Sequence, residues 1–108
     1  MSKRNVVAEI SVVPLGTGSP SVSEYVAGCM DVLIGNSNIK YRLTPMATIV
    51  EGPLDQVLKV TKAMHEVPFN KGSMRVVTTL KIDDRRDIKL TMKGKVDRVK
   101  KLRPDVNI

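Results

Sequence analysis

Residues 41–51 read Tyr-Arg-Leu-Thr-Pro-Met-Ala-Thr-Ile-Val-Glu, and this stretch decides the fold. Proline fixes its own φ and has no N–H to give to a sheet ladder, so Pro45 belongs to a turn or a strand start. The apolar and β-branched residues on either side predict two adjacent antiparallel strands, 40–43 and 46–51, that meet near Thr44 and Pro45. Strand side chains alternate, so Met46, Thr48 and Val50 share one face of the second strand while Ala47, Ile49 and Glu51 share the other. Hydroxyls and a carboxylate among apolar residues suit a polar pocket or a subunit contact better than a simple core.

Upstream of this hairpin, residues 5–15 alternate, with Val6, Ala8, Ile10 and Val12 on one side and Val7, Glu9, Ser11 and Val13 on the other. They predict a central strand ending near Pro14. The run Gly16-Thr17-Gly18-Ser19-Pro20-Ser21 is a turn whose serines can cap a helix reaching about Ile34. Val22, Tyr25, Val26, Cys29, Met30 and Leu33 form its apolar stripe, and Gly35 and Asn36 end it.

Downstream, Gly52 and Pro53 open a second helix from Leu54 to about Glu66, with the stripe Leu54, Val57, Leu58, Thr61 and Met64. A last strand is expected over 74–82, then a charged loop Asp83-Asp84-Arg85-Arg86-Asp87 and a third helix over 91–102. The order β-α-β-β-α-β with an added C-terminal helix specifies an α+β, ferredoxin-like fold. Its four-stranded antiparallel sheet would have the first and third strands central and the first two helices on one face. One domain over 1–108 is expected, since a chain of this length supports one core.

The uncovered sheet face, assigned Val7, Glu9, Ser11 and Val13 with Met46, Thr48 and Val50 and with Arg75, Val77, Thr79 and Lys81, is too apolar for open solvent. Packing against a second copy's sheet would cover it.

Composition removes several classes of function. The single cysteine, Cys29, permits no internal disulfide and falls on an apolar helix face, where a buried structural thiol is the simple reading. His65 is the only histidine, so zinc chemistry and hydrolytic triads lack their residues and no metal is expected. No apolar run approaches a membrane span, and the start Met-Ser-Lys-Arg-Asn shows no signal-peptide core, which together predict a cytoplasmic protein without a membrane partner. The net charge is +7, concentrated in residues 81–103, where ten Lys or Arg face four Asp. Spread around a helix, these charges read as a solvated surface rather than a nucleic-acid site. With aromatics at 3% and none in the last two strands, an RNA-stacking sheet is excluded as well.

Two candidate sites emerge. Gly16, Thr17, Gly18 and Ser19 before a helix could hold an anion weakly, with help from Arg85, although Gly-x-Gly alone matches no nucleotide fingerprint and Arg85 has acidic neighbours to pair with. The second site lies around the 41–51 strands. Glu51 could accept hydrogen bonds from an amino-bearing heterocycle, with Thr48 and Thr79 nearby. Thr48 and Glu51 point to opposite faces of a regular strand, so both can serve one pocket only if the chain bends at Gly52.

The segments Glu9-Ile-Ser-Val-Val-Pro-Leu-Gly-Thr-Gly, Tyr41-Arg-Leu-Thr-Pro-Met-Ala-Thr-Ile-Val-Glu-Gly and Arg75-Val-Val-Thr-Thr-Leu-Lys-Ile-Asp-Asp-Arg-Arg resemble, in order and spacing, the thiamine-binding family of small archaeal and bacterial proteins. The resemblance runs from about Val6 to Leu102. It implies a ferredoxin-like subunit that assembles as a homo-tetramer or dimer through its sheets and binds thiamine, or its hydroxymethylpyrimidine portion, without transforming it and without a cofactor. Ser11, Thr44, Met46, Thr48, Glu51 and Thr79 are the pocket residues that strand chemistry offers for that ligand. The alternative is a structural or regulatory oligomeric module that binds phosphate or sulfate. An acylphosphatase-like enzyme would share the fold, but the first loop has no arginine to hold a phosphoryl group.

Overall fold

The structure, a computed structural model, describes residues 4–107. The charged start read as lacking a signal-peptide core lies partly outside them. The elements are β1 (Asn5–Leu15), α1 (Ser23–Ile34), β2 (Lys40–Leu43), β3 (Thr48–Pro53), α2 (Leu54–Asn70), β4 (Arg75–Asp83) and α3 (Met92–Leu102). All three strand pairings are antiparallel, and the order β2-β3-β1-β4 puts the first and third strands at the centre. This is the ferredoxin-like arrangement with an added helix.

One sheet face carries α1 and α2. Val6, Ala8 and Ile10 of β1, Val50 of β3, Cys29 and Leu33 of α1, and Val57, Val60 and Met64 of α2 meet there as the core. Each larger side chain contributes about 1.5–3 kcal/mol by leaving water. Among the described residues no helix is long and apolar enough to cross a membrane.

Several elements depart from expectation. β3 starts at Thr48 rather than Met46, because residues 44–47 form a turn closed by Thr44, whose hydroxyl donates to the Ala47 carbonyl at 2.6 Å and accepts from the Ala47 N–H at 3.1 Å. The serines do not cap α1. Val22 holds its N-cap position without a side-chain bond, while Thr17, Ser19, Ser21 and Ser23 bond among themselves. On α2, Leu58 is exposed and Val60 is buried in its place.

α2 also runs on to Asn70 with Pro68 inside it, instead of stopping near Glu66. Proline has no N–H for the carbonyl four residues back, here that of Met64. The Cys29 thiol on α1 donates to that carbonyl at 3.5 Å, so a bond lost within one helix is replaced by one between two.

The register corrects the face assignment of β3. Thr48 pairs with Ile10 and Val50 with Ala8, which puts both among the helices; Ile49 pairs with Glu9 and Glu51 with Val7, which puts these on the open face. Pairing of β2 with β3 adds Lys40 and Arg42 to the open face and turns Tyr41 and Leu43 toward the helices. The register stays regular through Gly52 and Pro53, so no bend turns Glu51 toward Thr48. Gly52 serves packing: a Cβ there would come within 2.5 Å of Ile39 Cδ1.

α3 crosses part of the open face. Thr91 caps it, accepting from the Gly94 N–H at 2.9 Å, and the preceding Leu90 is buried. No residue of α3 itself is fully buried.

Candidate functional site

Two clefts lie on opposite faces of the sheet. The first, about 720 Å³, opens between α1 and the 44–47 turn and reaches Ile10, Thr48 and Met64 at its floor. It gathers four of the six residues expected to form a pocket, Ser11, Thr44, Met46 and Thr48. Their contributions differ. Ser11 belongs to the strand that passes the cleft, but alternation directs its side chain to the open face, opposite Thr79. The Thr44 hydroxyl is engaged by Ala47 and holds the turn. Met46 stands at the mouth, 88% exposed.

Thr48 carries the polar chemistry of this cleft. It is only 4% exposed, lines the floor, and its hydroxyl has no hydrogen-bond partner among the described residues. A hydroxyl held in a largely apolar wall offers one donor and an acceptor to whatever enters. Around it, Met30, Met46 and Met64 supply polarisable thioethers suited to the face or edge of an aromatic ring. Asp31 adds an exposed carboxylate at the rim. Met30, Asp31 and Met64 escaped the sequence reading, because each sits at helical spacing that core packing or a solvated face explains equally well.

Cys29 also borders the cleft. Burial pushes its thiol above the ordinary value of 9.0, so it is protonated at neutral pH and matches the structural role expected of it.

Glu51 lies on the other side of the sheet and is 5% exposed. Its Oε1 accepts the Met92 N–H at 2.8 Å, so the carboxylate meets the first helical amide of α3 at the positive end of the helix. Glu51 and Thr48 therefore cannot line one pocket in this fold. Thr79, on the open face of edge strand β4, borders neither cleft.

The weaker anion candidate is reshaped as well. Gly16 and Gly18 have φ of 71° and 77°, the left-handed conformations of a tight turn. The Thr17 hydroxyl is engaged with Ser19. Arg85 grips Asp87 with two bonds of 2.6 and 2.9 Å, and Arg86 holds Asp84 at 2.9 Å. The hydrogen bond from Arg85 holds the Asp87 carboxyl below its usual range. Both arginines of the charged loop are thus taken up by its own acids, and its first residue, Asp83, pairs with Lys95 of α3.

His65 places Nδ1 2.7 Å from the Thr78 hydroxyl and meets Phe69 edge-on, with ring centroids 5.4 Å apart. Among the described residues no group of His, Cys, Asp and Glu side chains is placed to hold a metal ion.

Residues 8–100 match the model of a family described as thiamine-binding protein. The chain belongs to this family. It is 47% identical over 98 residues to the UPF0045 protein YqgV of Bacillus subtilis, which covers 88% of this chain and 94% of that protein. A crystal structure of the hypothetical protein MJ1052 of Methanocaldococcus jannaschii superposes with a TM-score of 0.82 at 41% identity, over 89% of this chain and 96% of that one. A domain of unknown function from Bacillus cereus follows with a TM-score of 0.77 at 30% identity, over 87% and 88%. Both solved structures therefore share the overall fold of this chain.

Proposed function

We propose that the protein is a non-enzymatic binder of thiamine or its hydroxymethylpyrimidine portion, and that the ligand occupies the cleft between α1 and the 44–47 turn. The observation that carries this reading is the Thr48 hydroxyl, unpartnered among the described residues and set in the cleft floor. An aminopyrimidine has ring nitrogens and an amino group to meet such a hydroxyl, and a flat face to lie against Met30 and Met64. Asp31 at the rim faces outward, where the thiazolium cation of thiamine would emerge. Family membership supports the ligand class.

In this reading Ser11, Glu51 and Thr79 leave the pocket. Thr44 shapes it through the turn, and Met46 closes over its mouth. The protein works in the cytoplasm as a homo-oligomer, for which the support is a patch of the open face that α3 leaves bare: Val13, Leu15 and Val77 are exposed there beside Ser11 and Thr79. A second copy's sheet would cover this patch.

A thermal-shift series with thiamine, hydroxymethylpyrimidine, thiamine phosphates and sulfate tests the function. A ligand at about 100 times its dissociation constant stabilises the native state by about 2.7 kcal/mol. Stabilisation by the pyrimidine compounds is expected. Stabilisation by sulfate alone would favour the anion-binding module instead.

A further inference from the structure

The second cleft, about 1150 Å³, lies on the open face of the sheet beneath α3. Its floor follows from the register. One row across the sheet reads Lys81, Glu9, Ile49, Arg42, and the next reads Asp83, Val7, Glu51, Lys40. In the second row both carboxylates hold α3 in place, Glu51 through the Met92 N–H and Asp83 through the Lys95 ammonium. On α3, Lys93 pairs with Asp97. The lysines of the roof are therefore matched by their own acids.

Three cations of the floor are not matched. Lys40, Arg42 and Lys81 make no ion pair among the described residues; Glu9 is equally unpaired, and Glu51, whose hydrogen-bond partner is an uncharged amide, stands directly across from Lys40. With Glu51 counted, the cleft keeps a surplus of one positive charge next to an apolar surface made by Val7 and Ile49 below and Met92 and Val96 above. Lys81 stands directly across from Glu9 and is placed to neutralise it. Lys40 and Arg42 alternate with Tyr41 on the edge strand, so they share one face about 7 Å apart. A tetrahedral oxyanion can bridge that spacing, taking the planar fork of Arg42 on one side and the ammonium of Lys40 on the other.

We infer that this cleft is a second binding site, for a small organic phosphate whose apolar or aromatic body lies over Ile49 and Val7 beneath α3 while its phosphate dianion sits between Lys40 and Arg42. The planar fork of Arg42 beside the ammonium of Lys40 suits the three oxygens of a phosphate better than the two of a carboxylate. Edge-strand charges also discourage strand addition by other chains, but that purpose makes no demand on the apolar floor and roof beside them. The site is independent of the thiamine proposal, since the two clefts lie on opposite faces of the sheet and share only Thr44 at their edges.

The test is a titration of the full chain with phenyl phosphate, followed by amide and methyl NMR shifts, with inorganic phosphate and phenol in parallel. Saturable shifts are expected at Ile49, Arg42, Met92 and Val96, with phenyl phosphate binding more tightly than either fragment. The double variant Lys40→Ala, Arg42→Ala should weaken binding by about tenfold or more. Glu9→Gln should strengthen it, because it removes a carboxylate of the cleft and frees the Lys81 ammonium across from it. Lys59→Ala, on the exposed side of α2, is the control and should change nothing. Shifts that fail to saturate, that map to the Gly16–Ser19 turn, or that survive in the double variant would overturn the inference. So would unchanged or weaker binding in Glu9→Gln.

Discussion

Glu51 and Met92 are separated by 41 residues in sequence and joined by a hydrogen bond of 2.8 Å. The contact fixes how the middle of the chain meets its last helix: the carboxylate near the end of β3 meets the first amide of α3 and holds the helix over the open sheet face. Since none of the residues of α3 is fully buried, polar contacts at its start carry much of the docking. Glu51→Ala removes a charge-assisted bond and should reduce the stability of the docked helix by about 1.5–3 kcal/mol. Glu51→Gln keeps an oxygen acceptor and should lose less. Amide hydrogen exchange at Met92, Lys93 and Gly94 reads the difference. Protection of α3 unchanged in Glu51→Ala would mean that the helix is held by something else.

Thr44 illustrates a residue whose chemistry is turned inward. Its hydroxyl both donates to and accepts from the Ala47 backbone, so Thr44→Val should destabilise the protein by about 1 kcal/mol by leaving the Ala47 N–H unmet, while the Ala47 carbonyl keeps the Thr44 N–H at 2.9 Å. Thr44→Ser keeps the hydroxyl and should retain most of the stability. Urea denaturation of the two variants separates these outcomes. Equal stability would show that the turn does not need the hydroxyl.

The buried thiol gives a pH dependence of definite sign. Burial raises the folded pKa of Cys29 above its ordinary value of 9.0, so between those two values the folded state holds more protons than the unfolded state. Its contribution is fully present below pH 9.0 and is lost as pH rises through the folded value. Denaturation from pH 8 to 11 should show stability falling more steeply in the wild type than in Cys29→Ala. Alkylation of the native protein at neutral pH should be slow. Identical slopes for the two proteins would contradict the assignment.

The bare half of the open face predicts self-association. Light scattering should give a multiple of the 11.9 kDa chain mass at micromolar concentration. Val77→Lys, centred opposite Val13, should shift the protein toward monomer, because a charge buried in such a contact is costly. A monomeric wild type would remove sheet packing from the account.

The order of elements was legible because each has its own period and punctuation: the alternation of β1, the proline turn before β3, the amphipathic stripes of α1 and α2. The site was harder to read. Alternation separates Thr48 from Glu51, but only pairing with β1 decides which of them faces the helices, and β3 hides that choice because both its faces are covered, by α1 and α2 on one side and α3 on the other. Val50 and Ile49 are equally apolar neighbours and give no asymmetry to read. Glu51 looked available for a ligand because its partner is a backbone amide, which every residue but proline has and which no residue type announces. The second helix was expected to end near Glu66, whereas it runs on through Pro68, where the Cys29 thiol satisfies the Met64 carbonyl that proline leaves without its partner.

The claim that Thr48 anchors a thiamine-like ligand is tested most directly by calorimetry with hydroxymethylpyrimidine and thiamine on the wild type and on Thr48→Val, a nearly isosteric change that deletes only the hydroxyl. The wild type should bind one ligand per chain, and the variant, folded with the same mass by light scattering, should bind about three- to tenfold more weakly, the value of one neutral hydrogen bond of about 0.5–1.5 kcal/mol. Equal affinity in the two proteins, or no heat with either ligand, would contradict the account.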